Sequence, residues 1–227
     1  MYPAALCRWI AEQAPACERA WDCAAGSGQA AAGLAGHFAT VVATDAAPAQ
    51  LAQAPAGLPR VVALAEAMPL ARCSVDAVTV AQALHWLDLE RFYAEVRRVL
   101  RPGGVLAAWC YGLARVTPDV DAVVYELYED CLGPFWPPQR RLVEAGYAGL
   151  PFPFSRLAVP PFVMETCWTL DDLTGYLGTW SAVQRYRQAR GVDPVVRYLP
   201  RLRAAWGPAR ERTVQWPLAV LAGRVPS

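Results

Sequence analysis

The sequence predicts an α/β fold, with a mostly parallel sheet of seven strands and helices on both faces. Three observations carry this. Short β-branched and apolar runs alternate with helical patterns through the first half, which is the rhythm of successive βαβ units. A tight turn, Gly26-Ser27-Gly28, separates the first run from the helix after it. A carboxylate, Asp45, closes the second run 19 residues after Gly26. The length of 227 residues suits a single domain spanning 1–227.

Taken in order, residues 4–14 read as a short helix with Leu6, Trp9 and Ile10 on one face. Residues 20–25 form the first strand, and a helix follows from about Gln29 to Phe38, closed by His37, whose charge suits a helix end. Residues 40–45 are a buried strand. Pro48 opens a short helix, since proline suits a first helical turn. Residues 61–65 and 75–84 hold the third and fourth strands. Leu89, Phe92, Tyr93, Val96, Val99 and Leu100 then share one helical face, with Asp88 as N-cap and Pro102-Gly103-Gly104 as the stop. Residues 105–111 are the fifth strand. Residues 117–161, rich in proline and aromatics, read as a helical insertion with loops. A sixth strand is expected over 162–169, helices over 170–190 and 193–206, and a last strand over 212–224 whose middle Pro217 demotes to an edge or a bulge.

Composition excludes several classes. The chain is 55% hydrophobic and 18% charged, which argues against disorder. A net charge of +1, with no dense Lys/Arg run, argues against nucleic-acid and anionic-membrane partners. The seven cysteines, Cys7, Cys17, Cys23, Cys73, Cys110, Cys131 and Cys167, include no CxxC pair, and the two histidines stand far apart. Neither a disulfide scaffold nor a metal site is expected. The start, Met1-Tyr2-Pro3, lacks the basic and apolar regions of a secretory leader, and no apolar run reaches the ~18 residues of a membrane span. The expected location is cytoplasmic, as a monomer or homodimer.

Two features point to a ligand. The stretch Asp22-Cys23-Ala24-Ala25-Gly26-Ser27-Gly28-Gln29 sits at a strand-to-helix turn, where glycines admit close backbone approach and a helix N-terminus offers N–H groups. By itself it also reads as a tight turn with nothing bound. Asp45, at the next strand end, is placed to accept two ribose hydroxyls, or else caps the turn before Pro48. Together they bracket the crevice where parallel sheets bind ligands.

With these features the chain resembles the class I methyltransferases of the type-11 group, in particular their trans-aconitate methyltransferase-like branch. The resemblance runs through the glycine turn, Thr44-Asp45, and Ala65-Glu66-Ala67-Met68-Pro69-Leu70. It continues through Ser74 to Trp86 with Ala81-Gln82-Ala83-Leu84-His85-Trp86, then Arg98-Val99-Leu100-Arg101-Pro102-Gly103-Gly104, and later Thr179-Trp180-Ser181 and Trp216-Pro217-Leu218. It implies a Rossmann-like class I methyltransferase fold, a helical insertion after strand five, and S-adenosyl-L-methionine as cofactor. In that reading 1–112 is the cofactor-binding half, and 113–227 holds the insertion or lid, the acceptor side and the last strands. Asp22, Ala24, Gly26 and Gly28 would line the methionine side, Asp45 would hold the ribose, Ala65 and Glu66 would flank the adenine, and Ala81 and Gln82 would lie near the sulfonium. Two departures stand out. Ala24 replaces the first glycine of the family turn, and the chain starts at Met1-Tyr2-Pro3, where relatives carry a further segment that helps close the pocket.

For the acceptor, His85 is the candidate catalytic base, with a structural histidine beside Trp86 as the alternative. Trp86, Tyr111, Trp180 and Tyr186 are candidates for an acceptor wall or for core packing. Arg185 and Arg187 would clamp a carboxylate or lie on a solvated helix face. The reading is methyl transfer to a small molecule, with a carboxylate oxygen implied by analogy. Two rivals remain: a nicotinamide-dependent oxidoreductase, since Gly26–Ala31 fits GxGxxA although no Tyr-x-x-x-Lys follows, and a non-catalytic protein on the same fold.

Overall fold

The computed structural model describes residues 1–226. The apolar runs of the first half become strands because each is buried on both faces. β1 (Arg19–Cys23), β2 (Thr40–Asp45) and β4 (Val75–Ala81) hold almost entirely buried residues, while β3 (Arg60–Val62) is an exposed edge. β5 (Leu100–Cys110), β6 (Ser155–Arg156), β7 (Phe162–Trp168) and β8 (Arg212–Arg224) complete the sheet. Its order is β3-β2-β1-β4-β5-β8-β6, with β7 paired to β8 off this path. The first five strands run parallel, and β8 lies antiparallel to both β5 and β6. This is the Rossmann-like class I methyltransferase architecture. The eighth strand is the two-residue β6, which lies in a stretch that the sequence leaves to loops.

Helix α1 (Ala4–Gln13) precedes β1, and helices α2 (Gln29–Leu34), α3 (Pro48–Leu51) and α4 (Leu89–Val99) connect parallel strands. α4 follows its sequence pattern closely. Asp88 accepts the Arg91 N–H as N-cap, and Phe92, Tyr93, Val96 and Val99 are buried. Burying these four side chains stabilises the fold by roughly 1.5–3 kcal/mol each.

Where element ends differ from expectation, the causes are local. α2 stops at Leu34 instead of Phe38, and the chain turns through Gly36 to His37, whose N–H donates to Leu34 O. β3 ends at Val62 because its single neighbour β2 ends at Asp45, its register partner. β4 ends at Ala81 because Gln82 takes φ +55°. β5 starts early, at Leu100, and carries an irregularity in its pairing with β4 around Val75. Pro217 does not interrupt β8. It precedes the β5 ladder, which begins at Ala219, so its missing N–H is not needed there.

The chain forms two compact units. The first comprises Met1–Tyr111, Leu142–Phe162 and Leu218–Ser227. Its core packs Trp21, Val78, Val80, Phe92, Val96 and Leu106 with Tyr147 and Leu221. The second comprises Gly112–Arg141 and Val163–Pro217. It holds α5 (Pro118–Glu126), a π turn over Leu127–Cys131, α7 (Leu170–Gly178), α8 (Ser181–Arg190) and α9 (Pro194–Trp206), packed on Leu127, Leu132, Leu173, Leu177, Leu202 and Trp206. Thr169 and Asp172 form a capping box at α7. The remaining helix, α6 (Arg140–Glu144), is short. No helix among the described residues is long and apolar enough to cross a membrane.

Candidate cofactor site at the strand ends

At the end of β1 the backbone turns through three left-handed residues, Ala24 (φ +51°), Gly26 (+54°) and Gly28 (+77°). The two glycines serve different needs. A Cβ on Gly28 would lie 2.9 Å from Ala54 Cβ, whereas one on Gly26 would meet nothing within 4 Å. Gly26 therefore answers to backbone conformation and leaves open space beside the turn. Ala24 occupies the left-handed region with a Cβ, which is strained for an L residue.

The turn is tied to β2 by two bonds. Ala25 N–H donates to Thr44 O, and Gly26 N–H donates to Asp45 Oδ2, each at 2.8 Å. Asp45 Oδ1 accepts the Ala47 N–H at 2.8 Å. A carboxylate offers about four acceptor positions, so half of this one's capacity remains after both bonds.

Asp22 sits beneath the turn and is wholly buried. Its oxygens accept the Thr79 hydroxyl at 2.8 Å and the Ala31 N–H at 2.9 Å, which joins β1 to β4 and to α2. Burial pushes its carboxyl up to about 7, against the opposing pull of these hydrogen bonds.

A cavity of about 380 Å³ opens beside Asp45, within the ordinary range for small-molecule sites. It is lined by Ala24, Asp45, Ala65 and Glu66, by the small residues Ala46, Ala63 and Ala83, and by Leu64, Trp86 and Leu87. Glu66 also accepts the Asp88 N–H at 3.0 Å, which fixes its wall to the start of α4. The segment after it is clamped from α4. Glu95 accepts the Met68 N–H, and Arg98 donates to Met68 O and Leu70 O while pairing with Glu95 at 2.6 Å. That pairing holds the Glu95 carboxyl below its ordinary value.

At the end of β4, Ala81 pairs with Trp109 of β5. Gln82 is pinned by its N–H on Trp109 O at 2.8 Å and its amide on Tyr111 O at 3.0 Å. Its positive φ is a strained conformation for a glutamine, of the kind found at ligand clamps. Tyr2 packs edge-on against Trp109, with ring centroids 5.2 Å apart. Burial, with Tyr111 and Asp22 nearby, raises its phenol well above the ordinary value.

Beyond Gln82, a 3-10 turn over Leu84–Trp86 carries His85 and Trp86. Trp86 is 57% exposed and lines the same cavity as Asp45, Ala65 and Glu66. His85 Nδ1 lies 3.1 Å from the Tyr147 hydroxyl. Nothing in the local sequence signals this partner, since Tyr147 is 62 residues away.

Of the remaining acceptor candidates, Tyr111 ends the first segment of the first unit, whereas Trp180, Arg185, Tyr186 and Arg187 belong to the second. There Trp180 joins an aromatic cluster with Tyr128, Trp136 and Tyr176. Arg185 donates to Phe135 O at 3.2 Å, and Tyr186 packs on Phe135. Arg187 pairs with Asp193, which gives it a structural role at the end of α8.

Comparison with known proteins supplies the family. The methyltransferase-domain family matches residues 21–108, the segment that contains the turn, Asp45 and the cavity walls. A Dictyostelium discoideum protein named as a methyltransferase is 34% identical over 177 residues, 76% of this chain and 67% of that protein. The chain belongs to the class I S-adenosylmethionine-dependent methyltransferases of the type-11 family. A solved structure described as a type II methyltransferase from Anaeromyxobacter dehalogenans is 52% identical, covers 100% of this chain and 98% of its own, and superposes with a TM-score of 0.93. An uncharacterized Mycobacterium tuberculosis methyltransferase is 45% identical over 108 residues, a stretch spanning 44% of that protein. Family membership sets aside the nicotinamide-dependent alternative for this methyltransferase.

Proposed function

We propose that this methyltransferase binds S-adenosyl-L-methionine with Asp45 on the ribose and methylates a small-molecule acceptor, a carboxylate oxygen being the favoured target. The observation that carries the reading is Asp45 itself. It stands at a strand end, is tied to the glycine turn, retains acceptor capacity, and borders a cavity whose other walls are Ala65, Glu66 and Trp86. A planar adenine would lie between small alanine side chains and the exposed Trp86 ring, with the Gly26 turn open toward the rest of the cofactor.

When bound, the cofactor supplies a methyl group on a sulfonium that is already a good leaving group. The protein's task is then alignment and exclusion of water. Asp22 acts from beneath, keeping the turn in register through Thr79 and Ala31 rather than by reaching the ligand. Gln82, held on Trp109 and Tyr111, fixes the backbone at the end of β4, where the sulfonium side is expected. Trp86 moves in this reading from the acceptor wall to the cofactor wall. Trp180 and Arg185 remain acceptor candidates on the second unit. A carboxylate acceptor agrees with the trans-aconitate-like resemblance and is already ionised near neutral pH.

Calorimetric titration with S-adenosylhomocysteine tests the reading. Saturable binding by the native chain, lost in Asp45→Ala, is expected. Equal affinity of the two proteins would refute the site.

A further inference from the structure

We infer that the Tyr2 hydroxyl donates to a carboxylate oxygen of the ligands at the end of β4, and that Trp109 is the positioning residue behind it, its indole N–H directed at the phenol oxygen. The ligand half of this statement rests on the function proposed above, whereas the pairing of Tyr2 with Trp109 does not.

Trp109 is wholly buried, yet its indole N–H has no hydrogen-bond partner among the described residues. An indole N–H only donates, and an unpaired buried donor is costly. Tyr2 is set against it. The two rings meet edge-on at 84°, with centroids 5.2 Å apart, and the indole N–H acts on the phenol oxygen, favouring its ionised form. Burial, Tyr111 and Asp22 outweigh that pull and hold the phenol well above its ordinary value, so Tyr2 keeps its proton. The pair therefore carries two protons, on Nε1 and on the hydroxyl, and a single acceptor between them, the phenol oxygen. Once that oxygen takes the indole N–H, the hydroxyl proton is left over for a third group. Nε1 itself is shut off from a ligand, whereas Tyr2 is only partly buried, so Tyr2 is the member of the pair that a ligand meets.

The sheet places this hydroxyl. Trp109 is the register partner of Ala81, and Asp22 that of Thr79, so these side chains share one face. β4 lies between β1 and β5. A hydroxyl that feels Asp22 of β1 as well as Trp109 and Tyr111 at the end of β5 stands across the end of β4, where Ala81 gives way to Gln82. Gln82 locks this end to β5 through its N–H on Trp109 O at 2.8 Å.

The ligand atom follows by elimination. In the proposed complex Asp45 of β2 holds the ribose hydroxyls, on the far side of β1. The oxygens left for the end of β4 are carboxylate oxygens, from the methionine end of the cofactor or from the acceptor. A carboxylate has no proton of its own near neutral pH and accepts readily from a phenol. Asp22 stands on the same face, but its value of about 7 leaves it partly protonated there, which weakens its repulsion of a second carboxylate.

Calorimetric titration with two compounds separates the sources. S-adenosylhomocysteine carries the methionine carboxylate, and 5′-methylthioadenosine shares its nucleoside thioether without it. Tyr2→Phe keeps the ring and removes the donor. If the cofactor supplies the oxygen, Tyr2→Phe should bind S-adenosylhomocysteine about tenfold more weakly and methylthioadenosine as the native chain does. If the acceptor supplies it, both should bind unchanged, and mono- and dicarboxylates titrated into the protein saturated with S-adenosylhomocysteine should bind about tenfold more weakly. Unchanged affinity in every titration, or an equal loss for both nucleosides, would overturn the inference. Trp109→Phe should cost about threefold on the same ligand and nothing further in Tyr2→Phe, because it acts through that hydroxyl. Additive losses would overturn its positioning role. Should Trp109→Phe fail to fold, indole ¹H–¹⁵N spectra take its place: one of the nine indole resonances should move in Tyr2→Phe, and an unmoved spectrum would overturn the pairing. A native chain that binds neither nucleoside would overturn the cofactor reading and the ligand half with it, while the indole spectrum would still decide the pairing.

Discussion

Asp45 Oδ2 accepts the Gly26 N–H at 2.8 Å, so the carboxylate that ends β2 holds the turn that ends β1. One side chain thereby shapes the cavity wall and contributes to it. Asp45→Ala should lower S-adenosylhomocysteine affinity by at least ~100-fold, since hydrogen bonds to a charged group contribute roughly 1.5–3 kcal/mol each. Asp45→Asn keeps an oxygen for Gly26 and should fall between the two in calorimetric titration. Affinity in Asp45→Asn as low as in Asp45→Ala would show that charge, more than the tie to the turn, sets binding.

The left-handed backbone at Ala24 makes a prediction of the opposite sign. Ala24→Gly relieves a Cβ held at φ +51° and should stabilise the protein by about 1 kcal/mol. In a chain of this length that raises Tm by roughly 2–4 °C, readable by calorimetry.

Gly26 and Gly28 should separate in stability although both have positive φ. Gly26→Ala adds a methyl group to open space and should destabilise by about 1 kcal/mol from backbone strain. Gly28→Ala adds the same strain and drives a Cβ to 2.9 Å from Ala54, so roughly 2–4 kcal/mol is expected. Denaturant titrations of the two variants give the comparison, and the Gly26 variant should show the larger loss of ligand affinity per kcal/mol of stability lost.

Asp22 makes stability depend on pH. Its folded-state value of about 7 lies above the ordinary 3.8, so between these limits the folded chain keeps a proton that the unfolded chain releases. The stabilising contribution is complete below about pH 4 and disappears as pH rises through 7. The unfolding free energy of the native chain minus that of Asp22→Asn should therefore fall from pH 4.5 to pH 7.5, by something on the order of 4 kcal/mol at most. A flat difference would mean that Asp22 is ionised in the fold at both pH values.

Much of the first unit was legible in the sequence because its signals are local. β2 and β8 fall on their expected residues, and α4 shows both its N-cap and its buried face, since periodicity and capping act within a few residues. The turn and Asp45 were legible for the same reason. What escaped depends on distant partners. β6 exists because Ser155 and Arg156 find β8 some 70 residues on, and two residues carry no pattern. The positive φ of Gln82 follows from its anchorage on β5. Trp86 reads like any aromatic until its exposure beside Asp45 is seen. His85 could be picked out by type, but its neighbour Tyr147, 62 residues away, could not be located by sequence spacing.

The strand order bears on how this chain is made. β8 follows the other strands in chain order and inserts between β5 and β6, with Val105 opposite Arg224. Until β8 has been synthesised, one side of β5 has no partner and displays open backbone N–H and C=O groups. Such an edge invites pairing with another nascent chain. Premature termination before Ala219 would leave that edge bare, so shortened translation products should be handed to proteases or chaperones, even though they carry every residue proposed to hold the cofactor.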